Sequence, residues 1–235
     1  VQHMQVQIPL ALKLSDNANF ENFCVGNNVN AFRYLQSLST ASSAEKFIFL
    51  YGGSGVGKSH LLQACCHGYA DAGFVTAYVP LSEAWQLNPE MLQGLEQMDL
   101  ICLDNIHAVL GQPLWEEALF HLYNRTRESN VQLLVSAETT PQQMQCQLAD
   151  LHSRLCSALV FQLQGLDDEQ KIQALQMRSA RRGLELPKEV CLYLLNRYPR
   201  NMTALFDIFE MLDRSSMIAK RRLTVPFVKG VLNIL

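Results

Sequence analysis

Residues 51–62 read Tyr51-Gly-Gly-Ser-Gly-Val-Gly-Lys-Ser-His-Leu-Leu62, between an apolar run, Phe47 to Tyr51, and a helical pattern, Leu61 to Ala70. Glycine adopts positive φ and carries no Cβ, so a glycine-rich turn lets another group approach the backbone closely. Gly52-x-x-x-x-Gly57-Lys58-Ser59 fits the P-loop pattern. In that pattern the N–H groups of Gly52, Gly53, Ser54, Gly55, Val56 and Gly57 turn inward and cradle phosphate. The helix opening at Lys58 adds its positive end, where Ser59 and His60 lie. Lys58 supplies a cation to the β and γ oxygens, and the Ser59 hydroxyl suits Mg2+. A flexible surface loop is the alternative, but the stretch also follows a strand pattern and opens a helix pattern, which is the context a P-loop requires.

A nucleotide site of this kind needs a second acidic group for the metal. Asp99-Leu-Ile-Cys-Leu-Asp104-Asn105 offers one: an apolar strand ending in Asp104, the Walker B position. A plain strand-end turn is the other reading, since Asp-Asn suits turns. The next residue is Asn105, where efficient ATPases carry Glu or Asp to orient the attacking water. Asn cannot take a proton, which argues for weak turnover.

Around these motifs, short apolar runs alternate with helical patterns. Strands are expected at Phe47–Tyr51, Phe74–Val79, Leu100–Leu103, Val131–Ser136 and Ala158–Leu163. Helices are expected at Lys58–Ala72, Pro89–Met98 and Leu114–Glu128, with short ones from Pro141 and Asp150. Strands without polar alternation are buried on both faces, and strand–helix alternation predicts an α/β fold with a parallel five-stranded sheet. Trp115 and Glu116-Glu117 read as part of an ordinary amphipathic helix. After Gly165 only helical spacing remains, over Asp167–Arg182, Lys188–Arg197, Met202–Ser215 and Val225–Leu235. Residues 165–235 therefore read as a small helical domain, residues 19–164 as the nucleotide-binding domain, and residues 1–18 as an extended arm. Met4 is the expected natural start.

The chain has 235 residues and a formal net charge of −3, which argues against a DNA-coating domain. Seven cysteines lie mostly inside apolar runs, without a CxxC pair, a usage that suits a reducing cytoplasm. Neither a secretory signal nor a membrane-length apolar run is present, so a cytoplasmic protein is expected.

These motifs together resemble the AAA+ ATPases, and within them the DnaA-related family of replication initiators. Phe20-Glu-Asn-Phe-Cys-Val-Gly26 is similar to that family's opening segment. Tyr51 to Leu62, with its His60-Leu61-Leu62 tail, is similar to its P-loop. Asp150-Leu-His-Ser-Arg154-Leu155 resembles its arginine-finger motif. The resemblance covers residues 19–235 and is expected to stop short of a helix-turn-helix DNA-binding domain. A DnaA core of that extent resembles the Hda family, regulators that inactivate DnaA. It implies an AAA+ P-loop NTPase fold with a helical lid, binding ADP or ATP with Mg2+ through Ser59 and Asp104. The family's peptide for the DNA polymerase III sliding clamp matches Gln5-Val6-Gln7-Ile8-Pro9-Leu10. Gln5, Ile8, Pro9 and Leu10 are the implied clamp-binding residues; an arm without a partner is the alternative.

By the same resemblance, Arg154 is the trans arginine finger aimed at ATP held by DnaA, and a structural salt bridge is the alternative. Phe20, Phe23 and Val25 are candidates for an adenine slot, against simple core packing. Ser136 and Glu138 stand near the first sensor position, where the family's Asp-Arg is replaced by Ala137-Glu138. Thr203 replaces the second sensor arginine. Arg200, about one turn earlier, is a substitute, against a surface helix-end role. Arg178, Arg181 and Arg182 read as a solvated basic face, with DnaA contact as the alternative.

The departures at Asn105, Ala137 and Thr203 imply weak or no intrinsic ATPase activity. The expected function is a nucleotide-bound regulator of replication initiation, with ADP as its ligand, that binds the clamp and stimulates hydrolysis of DnaA-bound ATP. Neither strong direct DNA binding nor membrane binding is expected, and a homodimer hiding Arg154 is conceivable. Two rivals remain: a self-sufficient AAA+ ATPase such as a helicase loader, and a small-molecule P-loop kinase. The kinase would need an arginine-rich clamping lid that the sequence does not display.

Overall fold

The computed structural model describes residues 14, 18–40 and 45–232. Residues 22–27, 54–56 and 164–232 cluster into one compact unit, and the other described residues into a second. The five apolar runs form five parallel strands: β1 Phe47–Tyr51, β2 Thr76–Pro80, β3 Leu100–Asp104, β4 Gln132–Ala137 and β5 Leu159–Gln162. Their order is β2-β3-β4-β1-β5, and every neighbouring pair is parallel. β3 and β4 are buried along their whole length, the polar Asp104, Gln132 and Ser136 included. Phe49, Ile101, Leu103, Leu133, Val135, Trp115 and Leu119 form the heart of this core.

The strands are linked by α2 Lys58–Asp71, α3 Pro113–Glu128 and α4 Ala149–Cys156, with α1 Val29–Ser37 preceding β1. Sequence reasoning overlooked α1, whose first turn has no side-chain cap to announce it. The helix expected over Pro89–Met98 is instead two 3-10 turns, Pro89–Leu92 and Leu95–Gln97. Gly94 separates them at φ +82°, a left-handed conformation that ends one turn before the next begins.

Glu116 is no ordinary surface residue of α3. It is buried, and its carboxylate accepts from the Gly111, Gln147 and Leu148 N–H groups at 2.7, 3.1 and 2.7 Å. Leu148 is the residue just before α4, so this carboxylate fixes the approach to that helix. Trp115 beside it packs into the core.

The helical unit consists of α5 Asp168–Arg181, α6 Lys188–Arg197, α7 Met202–Ala219 and α8 Val225–Leu232. Asp167 and Gln170 form a reciprocal capping box that starts α5. Gly183, at φ +69°, follows its end. Leu175, Val190, Leu194, Leu205, Phe209 and Leu212 supply the separate core. Arg181 and Arg182 are exposed, as a solvated basic face requires, whereas Arg178 is half-buried. Arg178 pairs with Glu210 and stacks on Phe206 at 4.4 Å, while Arg182 binds Asp213 at 2.6 Å.

Replacing Glu116 with Ala removes the acceptor for three backbone donors; those of Gly111 and Gln147 are on exposed residues that water can reach, and that of Leu148 is on a half-buried one. Urea unfolding of Glu116→Ala should register a loss of about 1–3 kcal/mol, and Glu116→Gln a smaller one.

Candidate functional site

The P-loop runs from the end of β1 into α2. Gly57 caps α2 at φ +101°, ψ 16°, and Gly55 lies at φ +74°. Both conformations are open to glycine and strained for other residues. Gly52 N–H donates to Ala137 O at 3.3 Å, which ties the loop's start to β4. Lys58 is buried, and its ammonium donates to Gly52 O at 2.7 Å and Gly53 O at 2.9 Å. Burial pushes its pKa below the ordinary lysine value, while Glu138 and Asp104 act in the opposite direction. His60, one turn into the site, faces back: its Nε2 lies 2.8 Å from Asn19 O.

Asp104 ends β3 and is only 2% exposed. Tyr78 donates its hydroxyl proton to Oδ2 at 2.7 Å, and the Ser136 hydroxyl donates to Oδ1. Asn105 N–H donates to Ser136 Oγ at 2.9 Å, which leaves the single hydroxyl proton of Ser136 for Asp104. The Gln63 side chain, on α2, bonds the Tyr78 hydroxyl in turn. Burial and the adjacent Asp104 charge push the Tyr78 pKa far above the ordinary phenol value. Tyr78 therefore stays protonated and remains a donor.

Sheet register explains how these groups meet. Tyr78 pairs with Cys102 and Pro80 with Asp104, so Tyr78, Cys102 and Asp104 point to one face of the sheet. That is the α2 face, where Cys102 Sγ approaches Leu62 O at 3.5 Å. Sequence reasoning missed Tyr78 and Gln63, because the adjacency of β2 to β3 is not written in either strand. It weighed Ser136 as a phosphate sensor; the hydroxyl is buried and committed to Asp104. Glu138 is exposed, close enough to Lys58 to influence its charge.

Asn105 sits at φ 59°, ψ 51°. Asn is among the few non-glycine residues that enter this left-handed region readily. A Glu at this position would be strained by about 1–2 kcal/mol, a backbone reason for the missing acid.

Of the remaining candidate nucleotide residues, Phe23, Val25 and Arg200 belong to the helical unit and Phe20 to the sheet unit. Phe23 and Val25 are half-buried. They flank Cys24, whose thiol donates to Gln170 O at 3.7 Å and whose pKa burial raises. Phe20 is half-buried and packs edge-to-face on Phe32, with centroids 5.6 Å apart, within the sheet unit. A Cβ at Gly55 would lie 3.4 Å from Met202 N and from Thr203 Oγ1, so the loop tip abuts the start of α7. Arg200 is largely exposed, and its guanidinium bonds Leu195 O at 3.1 Å and Asp168 at 3.2 Å.

Arg154 lies in the last turn of α4, half-buried, 5.7 Å from the Tyr123 ring centroid. Among the described residues no carboxylate lies within ion-pairing distance of it. Gln5, Ile8, Pro9 and Leu10 lie outside the described residues.

The residues present fit a magnesium nucleotide. The loop's left-handed glycines, the α2 N-terminus and Lys58 suit phosphate. Asp104 and Ser59 would serve the metal, which when bound neutralises phosphate charge.

A family model described as the bacterial DnaA ATPase domain matches residues 14–80 and 74–162, more than half of the chain. The chain belongs to the DnaA ATPase domain family. A second model, described as the lid domain of Hda, matches residues 168–232. Among solved structures, domain III of the Thermotoga maritima replication initiation protein DnaA is similar over 94% of this chain and 98% of its own, with TM-score 0.80 and 22% identity. AMPPCP-bound DnaA from Aquifex aeolicus covers 85% of this chain and 66% of its own, with TM-score 0.70 and 24% identity. The Thermotoga maritima RuvB Holliday junction branch migration motor covers 89% and 69%, with TM-score 0.66 and 14% identity. At these identities the structural likeness establishes the AAA+ fold, and the family match establishes the DnaA relationship.

Two outcomes test this site. Lys58→Ala should retain the folded circular dichroism spectrum but weaken nucleotide binding by about 10–100-fold, the loss of charge-assisted hydrogen bonds. Gly26 lies at φ +51°, and a Cβ there would meet Leu166 Cδ2 at 2.6 Å. Gly26→Ala should therefore cost about 1–3 kcal/mol in thermal unfolding.

Proposed function

We propose that this DnaA-family chain is a nucleotide-bound regulator of replication initiation that supplies Arg154 to a partner ATPase. In this reading an N-terminal arm spans 1–18, the nucleotide-binding domain 19–164 and the lid 165–235. ADP is the working ligand, held by residues 52–60 with Phe23, Val25 and Arg200 alongside. DnaA carrying ATP is the partner. Gln5, Ile8, Pro9 and Leu10 dock on the sliding clamp, and Pro9 lowers the ordering cost of the arm.

The state of Arg154 carries the proposal. A structural ion pair is the ordinary role for such an arginine, and no carboxylate partner lies near it among the described residues. Its guanidinium lies over the Tyr123 ring in a cation–π contact, and Glu116 fixes the approach to its helix. An arginine positioned in this way can offset charge developing on a phosphoryl group bound elsewhere, a contribution of about 10³–10⁵ in rate for fingers supplied in trans. Asn105 supports the assignment of turnover to the partner, since an amide cannot act as a base.

Single-turnover hydrolysis of ATP preloaded on DnaA, with clamp on DNA, tests both halves. The wild-type chain should accelerate hydrolysis, and Arg154→Ala and Gln5→Ala should each abolish the acceleration. Loss in Arg154→Ala alone removes the arm assignment. Absence of stimulation with brisk ATP turnover by the chain itself makes it a self-sufficient ATPase.

A further inference from the structure

Asp104 is held by two converging hydrogen-bond relays. One runs from the Gln63 side chain through the Tyr78 hydroxyl to Oδ2; the other runs from Asn105 N–H through the Ser136 hydroxyl to Oδ1. Phe in place of Tyr78 would fill the same volume in a half-buried strand without bringing a phenol to desolvate. The phenol instead donates to the one carboxylate that ends the neighbouring strand.

We propose that Tyr78 is a positioning residue for divalent-cation-dependent nucleotide binding, acting by fixing the Asp104 carboxylate through its hydroxyl. The inference rests on the nucleotide site proposed above. A carboxylate oxygen that accepts one hydrogen bond keeps a second lone-pair direction. With one direction on each oxygen occupied by a fixed hydroxyl, Asp104 cannot rotate, and its remaining lone pairs keep one orientation. Outer partners of this type orient ligating carboxylates, and their loss typically weakens metal binding about 10–100-fold. Donors linked in series polarise one another, so Gln63 strengthens the Tyr78 contact from the α2 side. The arrangement ties the cation-binding carboxylate to the same helix that carries Lys58 and Ser59.

A purely structural role for Tyr78 predicts something different: nucleotide affinity should then change equally with and without the cation. The test titrates a fluorescent ADP analogue onto the full chain, first with EDTA and then with increasing Mg2+. Tyr78→Phe should leave affinity in EDTA unchanged and raise the Mg2+ midpoint about 10–100-fold. Ser136→Ala should move the midpoint in the same direction. Gln63→Ala, which keeps the phenol, should give a smaller shift of the same sign and serves if Tyr78→Phe does not fold. An unchanged Mg2+ midpoint in Tyr78→Phe, with a clear Mg2+ effect in the wild type, overturns the inference and leaves the nucleotide site intact. An equal weakening in EDTA and Mg2+ overturns it in favour of the structural role. Failure of the wild type to bind the analogue at all overturns the nucleotide site itself.

Discussion

The carboxylate of Asp104 is buried at the end of a central strand, and two hydroxyl groups make that burial tolerable. An ionised carboxylate removed from water without partners costs several kcal/mol. Here the partners come from three different elements: Tyr78 from β2, Ser136 from β4, and Gln63 of α2 through Tyr78. Asn105, immediately after β3, completes the set through its backbone. The requirement for charge compensation thus binds the sheet order, the α2 helix and the Walker B residue into one arrangement. The P-loop depends on the same frame, since β1 and β4 are neighbours and Gly52 bonds the end of β4.

The helical unit is organised by a different physical device. Arg178 of α5 and Arg182 just after it are neutralised by acids of α7, with aromatic rings beneath them. Arg182 and Asp213 are the more enclosed pair, and Asp213 is buried. Segment 22–27 joins this unit through Cys24 and Gly26, and loop residues 54–56 join it at the start of α7. Residues far apart in sequence therefore share one unit, and Gly55 lies beside Thr203, the position where the family resemblance implies a sensor arginine.

Binding and turnover make separate demands on an AAA+ site, and this chain meets them unequally. The groups that suit phosphate and metal are all present. The left-handed backbone at Asn105 favours an amide over a longer acid, and Ser136 is occupied with Asp104. Arg154, by contrast, stands without an acidic partner among the described residues, on a helix whose start is pinned by a buried carboxylate. This distribution is what supports the proposal that the chemistry takes place on a partner's nucleotide.

The sequence by itself determined the parallel α/β class, the strand–loop–helix context of Lys58 and Ser59, the acid ending β3, and the helical character after Gly165. Those features are local: apolar runs, glycine spacing and helical periodicity within a few residues. Tertiary structure alone decided that Tyr78 meets Asp104, that Ser136 serves that carboxylate, that Glu116 is a buried anchor, and that Arg178 and Arg182 are paired. Gly94 also broke the Pro89–Met98 pattern into two turns, where local periodicity had promised a continuous helix. Each of these depends on which strand or helix lies beside which, and a side chain's partner across a sheet or between helices leaves no periodic trace in its own segment.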